Sequence, residues 1–97
     1  MATYILLATY TEQGIRGIKD TGKRATAVKE LAAKAGANMR ETYWTLGQFD
    51  VVAVLEAPDD ETMTAFSLSV AKLGNVKTQT LRAFSSKDME GIIGRLT

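Results

Sequence analysis

The residues able to do acid, base or ligand chemistry in this chain are few and scattered. Asp50 follows Gly47, Gln48 and Phe49 at a predicted turn and shares an alternating strand face with Val52 and Val54. A carboxylate among apolar neighbours has its pKa raised, which suits it to take a proton as a catalytic base or to hold a ligand. An aspartate that merely stabilises the turn fits the same position. Glu56 and Glu41 fall on that face too, on neighbouring strands, where paired carboxylates can share a proton or bind a metal. Glu56 stands at a strand end close to Pro58, where solvation or a salt bridge is the usual fate, so no metal site is expected. Arg82, between Leu81 and Ala83, can bind an acidic ligand or pair with Asp50 or Glu56. Tyr10 adjoins a glycine-rich stretch able to form a lid. Tyr43 and Trp44 point to opposite faces, one packing under helices and the other, Tyr43 by the register, facing away from them. Tyr10, Tyr43, Asp50, Glu56 and Arg82 are therefore the candidate ligand-binding set, with Asp50 the candidate base.

Gly17 to Lys23 has the glycine, four residues, glycine, lysine spacing of a phosphate-binding loop. Arg24 stands where a serine or threonine would hold magnesium, so the segment is expected to be a flexible lead into a helix. Anion binding at that helix start, through backbone N–H groups and Lys23, stays open. Arg24 and Arg40 are expected to be solvated or at an interface.

What the chain lacks narrows the chemistry further. Its 97 residues include no cysteine and no histidine. Disulfides, thiolate nucleophiles, zinc-thiolate sites, imidazole triads and histidine-ligated metal or haem are excluded, and no cofactor is expected. Twelve Lys and Arg against eleven Asp and Glu leave a net charge of +1, which gives no footprint for nucleic acid or an anionic membrane. The apolar run from Tyr4 to Ala8 is too short to span a bilayer and has no basic lead, so a cytoplasmic location is expected. The length suits one domain over residues 1–97, with a core modest enough for association to help.

The elements that must position these residues follow from periodicity. Thr3 to Tyr10 is apolar on both alternating faces and reads as a central strand. Glu12 to Thr21, with Gly14 and Gly17 among polar residues, reads as a loop. A helix follows with Ala25, Val28, Leu31, Ala32 and Ala35 on its inner stripe, capped by Asp20 or Thr21 and closed by Gly36. Met39 to Leu46 and Phe49 to Ala57 form a hairpin about a two-residue Gly47-Gln48 turn. Pairing outward from that turn places Thr42, Trp44, Val51, Ala53 and Leu55 on one face and Tyr43, Asp50, Val52, Val54 and Glu56 on the other, and a bulge would exchange part of these sets. Pro58 with Asp59, Asp60 and Glu61 opens a second helix, with Met63, Phe66, Val70 and Leu73 inward and Gly74 at its close. Val76 to Phe84 reads as an edge strand. Ser86 can cap a last short helix lined by Met89, Ile92, Ile93 and Leu96.

The order strand, helix, strand, strand, helix, strand predicts an α+β, ferredoxin-like βαββαβ fold: a four-stranded antiparallel sheet with both long helices on one face. Ile5 to Ala8 and Val51 to Leu55 are apolar toward both faces, and two helices cover only one. A second copy of the sheet is the economical cover, giving a dimeric α/β barrel with an interior. The partner expected is therefore the chain itself, as a dimer or higher even-numbered oligomer.

Gly47-Gln48-Phe49-Asp50 with Val51-Val52, Glu56-Ala57-Pro58-Asp59, Leu73-Gly74-Asn75-Val76 and Leu81-Arg82-Ala83-Phe84, together with the Thr11 to Gly17 segment and Arg24, resemble the GYD domain family. The resemblance spans nearly the whole chain and implies the dimeric α/β barrel scaffold, on which the family is largely without an assigned activity. Phe49 stands where the family motif has tyrosine, whereas Gly47 and Asp50 match it.

Two functions fit this reading. One is a small homo-oligomeric small-molecule-binding or accessory protein, its pocket between the sheet and its partner. The other is a cofactor-independent enzyme on the same scaffold, oxygenating or isomerising small activated rings as relatives of the superfamily do, with Asp50 as base and Tyr10, Tyr43 or Arg82 stabilising an oxyanion. An RNA-binding role would require exposed aromatics in basic, glycine-flanked strands, which are missing here.

Overall fold

In the computed structural model, which describes all 97 residues, the chain runs β1 (Ala2–Tyr10), α1 (Glu12–Arg16), a 3-10 turn (Ile18–Asp20), α2 (Thr21–Ala35), β2 (Asn38–Trp44), β3 (Val51–Ala57), α3 (Asp60–Ala71), β4 (Val76–Ala83) and α4 (Ser86–Ile93). The strands form one antiparallel sheet in the order β2-β3-β1-β4. This is the ferredoxin-like order expected from the sequence, with the most apolar strands, β1 and β3, in the middle.

Core residues come from one face of the sheet and from the two long helices. Tyr4 and Leu6 of β1, Ala53 and Leu55 of β3 and Met39 of β2 pack against Ala32 of α2 and Met63, Phe66 and Val70 of α3. Phe66, Leu55 and Met63 are the largest fully buried side chains; burial of each contributes about 1.5–3 kcal/mol. Gly36 ends α2 at φ 93°, a left-handed cap that frees the chain to turn into β2. The Asp59 carboxylate accepts from the Thr62 N–H at 2.8 Å and starts α3, which holds its carboxyl below the usual carboxylate range.

Four details differ from expectation. The stretch from Glu12 to Thr21 is not a plain loop. Thr11 caps α1 by accepting from the Gly14 N–H at 3.1 Å, and Glu12 pairs with Arg16 one turn on. Its glycines serve close packing: a Cβ on Gly14 would lie 2.0 Å from the Asn75 carbonyl oxygen. Secondly, the hairpin strands stop at Trp44 and Val51, and residues 45–50 form a wider link. Thr45 N–H still donates to Asp50 O at 2.9 Å and Thr45 Oγ1 to Phe49 O at 2.6 Å. Trp44 therefore faces Val51 and Tyr43 faces Val52, as pairing outward from Gly47-Gln48 requires, until a bulge between Met39 and Glu41 shifts the register and turns Met39 into the core. Thirdly, Leu73 is half exposed rather than part of the buried stripe. Lastly, the cap of α4 is Ser85, in a reciprocal box with Asp88. No residue of α4 is buried, and Met89, Ile93 and Leu96 lie 41–74% exposed.

The sheet face opposite the helices carries Ile5 and Leu7 of β1, Val52 and Val54 of β3, Tyr43 of β2 and Leu81 of β4. The register sets them in two rows, Glu41-Val54-Ile5-Leu81 and Tyr43-Val52-Leu7-Gln79. Tyr43 is 53% and Leu81 40% exposed. No element of the chain covers this face.

Candidate functional site

Because β1 alternates strictly, its even-numbered residues point toward the helices, and the space between them and α2 is incompletely filled. Ala8 and Ala53 on the sheet look across at Ala25 and Val28 of α2, small side chains on both walls. Between them lies a cavity of ≈ 320 Å³, closed on its α3 side by Val70 and Leu73. Fourteen of its eighteen lining residues are hydrophobic, so its occupant must present mostly hydrocarbon.

Polar groups gather at one end, where β1 gives way to α1 and α2. Tyr10 Oη and Thr21 Oγ1 are 2.8 Å apart, and Trp44 Nε1 donates to the same Thr21 oxygen at 3.0 Å. The half-buried Arg24 donates through Nη2 to Gly14 O at 3.1 Å. A Cβ on Gly17 would lie 2.7 Å from Arg24 Nη1, so the guanidinium tip occupies the space beside the glycine and would have to shift for a larger residue. Arg24 has no carboxylate partner; the chain's ion pairs are Arg16–Glu12 and Arg40–Glu56.

This end is pinned from behind by the turn before β4. Thr11 N–H donates to Asn75 O at 3.1 Å, Thr11 Oγ1 to Gly74 O at 2.6 Å, and Gln13 Nε2 to Leu73 O and Asn75 Oδ1 at 3.0 and 2.9 Å. On the other side, Asp50 Oδ2 accepts the Tyr10 N–H at 2.9 Å while Asp50 N–H donates to Ala8 O at 2.9 Å. The carboxylate thus extends the sheet ladder just before β3 begins at Val51. Asp50, the Thr11–Gly17 segment, Arg24 and Leu73 to Val76, far apart in sequence, converge on the mouth of one cavity.

The five sequence candidates are therefore not one cluster. Tyr10 lines the cavity, and Asp50 holds its backbone without lining it. Tyr43 lies on the open sheet face and donates to Glu41, which raises its phenol pKa. Glu56 pairs with Arg40 at 3.1 Å, not with Glu41 or Arg82. Arg82 stands opposite Tyr4 on the helix side, its guanidinium over the Phe84 ring at 4.5 Å and 5.6 Å from the Tyr4 centroid, and it donates to the Thr3 and Ala83 carbonyls. The expected ion pair with Asp50 or Glu56 does not form: Asp50 lies at the far end of the sheet, beside Ala8, and Glu56, one step along the register from Arg82, points to the opposite face with Thr3. Tyr4 donates to Asp60 at 2.5 Å, and this bond, with burial, raises its phenol pKa. Arg24, Trp44 and Thr21 are not among the sequence candidates; the glycine spacing before Arg24 and its place among the family-like residues are the signals that point to that end of the fold.

Fold and site together define a ferredoxin-like α+β domain with an open apolar sheet face and a cavity under its first long helix. The GYD domain family model matches residues 4–93, and the chain belongs to that family. It is 36% identical, over 92% of its length and 95% of the relative's, to the glutamine synthetase and cystathionine beta-lyase binding protein of Thermus thermophilus. Among solved structures, one from Thermus thermophilus superposes with a TM-score of 0.59 at 26% identity, covering 89% of this chain and 96% of that one. A hypothetical protein from Pyrococcus horikoshii gives a TM-score of 0.57 at 19% identity, covering 89% and 93%, a likeness of fold alone.

Proposed function

We propose that this protein is a homo-oligomeric accessory protein, two copies pairing their sheets face to face as a closed barrel, whose role is to bind a metabolic enzyme. The observation that carries the reading is the open sheet face. Ile5, Leu7, Val52 and Val54 form a contiguous apolar band flanked by the exposed Tyr43 and Leu81. Apolar surface concentrated on one face favours association, and a face presented identically by every copy is suited to a twofold, self-complementary contact. Support for an enzyme as the further partner comes from the Thermus thermophilus relative, named for binding two enzymes. The outer helical surfaces and α4 stay available to such a partner when the sheets pair.

Catalysis has weaker support. The base envisaged at Asp50 is the acceptor of the Tyr10 N–H, and Arg82 lies on the opposite side of the sheet from Tyr43. The partner reading is tested by biolayer interferometry of the purified protein against glutamine synthetase and cystathionine beta-lyase of the same organism. Saturable binding to either enzyme is expected. Absence of binding to both at tens of micromolar would remove these enzymes as partners and, with them, the support the relative lends.

A further inference from the structure

We infer that the cavity between α2 and the sheet is a binding site for a small, mainly apolar carboxylate, whose chain lies along Ala8, Ala53 and Val28 and whose anionic end meets Arg24. Protein interiors are packed to the density of organic crystals, with few voids larger than a water molecule. A cavity of ≈ 320 Å³ with apolar walls falls at the lower end of the range of small-ligand sites. At about 30 Å³ per water-sized unit it holds a molecule of roughly ten heavy atoms. Apolar walls of this kind favour a hydrocarbon guest by removing its surface, and their own, from water.

The anionic end follows from Arg24. Its guanidinium has five donors; one is committed to Gly14 O, and no carboxylate answers the charge. It is half buried at the cavity mouth, where a charge-assisted, bidentate contact to a carboxylate is stronger than one in open solvent. Arg24 also lies in the first turns of the fifteen-residue α2, the end of a helix that favours an anion. Tyr10, Thr21 and Trp44 close the same mouth as a hydrogen-bonded set. The mouth is assembled within one chain, so the site does not depend on the pairing of sheets proposed above.

Trp44 is the only tryptophan and lines the cavity, so its fluorescence reports occupancy directly. The full-length protein is titrated with octanoate and, as a neutral match of the same chain length, with 1-octanol. Expected are saturable changes for both, with octanoate bound at least tenfold more tightly. R24M is expected to abolish that preference while leaving octanol affinity within a factor of two. A25F, which fills the cavity from the helix side, is expected to weaken both ligands at least tenfold, with far-UV circular dichroism confirming the fold. A sheet-face variant, V54D, is expected to bind octanoate as the wild type does, whatever its oligomeric state. Absence of a saturable signal in the wild type overturns the inference, as does octanoate affinity that R24M leaves unchanged.

Discussion

Replacing Asp50 by alanine separates a structural carboxylate from a chemical one. In the native chain Asp50 Oδ2 accepts the Tyr10 N–H at 2.9 Å, at the point where β1 loses β3 as a backbone partner. The D50A substitution leaves that half-buried donor without an acceptor, whereas the backbone bonds of Asp50 to Ala8 and Thr45 persist. An unsatisfied buried donor costs about 1–3 kcal/mol; partial exposure places this one in the lower half, about 1–2 kcal/mol. For a domain of this size each kcal/mol moves Tm by about 4–8 °C, so thermal unfolding followed by circular dichroism should show a drop of about 5–15 °C. D50N keeps an oxygen acceptor and should lose less than half as much. Hydrogen exchange supplies the local check, since the Tyr10 amide should lose its protection in D50A alone. If D50A melts with the wild type and the Tyr10 amide stays protected, the carboxylate is not holding the strand, and a chemical role would have to be sought for it.

Three further outcomes follow from the same geometry. G14A drives a Cβ to 2.0 Å from the Asn75 oxygen and should destabilise by at least about 2 kcal/mol in urea unfolding, whereas G22A, where a Cβ meets nothing within 4 Å, should stabilise α2 by roughly 0.5 kcal/mol. Asp59 has its carboxyl held low by Thr62, so its contribution is present above the unfolded aspartate value of about 3.9 and is lost as pH falls below it; the wild type should lose stability over that range more steeply than D59N. Tyr4 is the reverse case. Its phenol is held high by Asp60 and burial, so its contribution is present below about pH 10 and declines above it as the unfolded phenol ionises first. In Y4F the alkaline loss of stability should be smaller.

Much of the fold was legible because periodicity and punctuation agreed. Pro58-Asp59 opened α3, Gly36 closed α2, and the spacing about Gly47 gave the register of Tyr43 against Val52 even though the turn itself is wider than two residues. The failures have local causes. Gly14 looks like a loop former, yet it is glycine because the Asn75 backbone occupies the space of a side chain, a fact of tertiary approach. The bulge beside Arg40 carries no glycine or proline to announce it. Arg82 misses its expected acids because the register sets Asp50 at the far end of the sheet and alternation turns Glu56 to the other face. The cavity was invisible for a related reason: it exists because Ala8, Ala53 and Ala25 coincide across two layers, and each alone reads as ordinary core alanine.

The pairing of two copies through the open sheet face is the claim on which the proposed function rests, and native mass spectrometry of the wild type beside V54D tests it most directly. Val54 lies in the middle of the apolar band, between Ile5 and Glu41, and a buried, unpaired carboxylate there would oppose association strongly. The wild type should appear as an even multiple of 10.5 kDa and V54D as a folded monomer. A wild-type monomer, or a V54D assembly of unchanged size, would contradict the account.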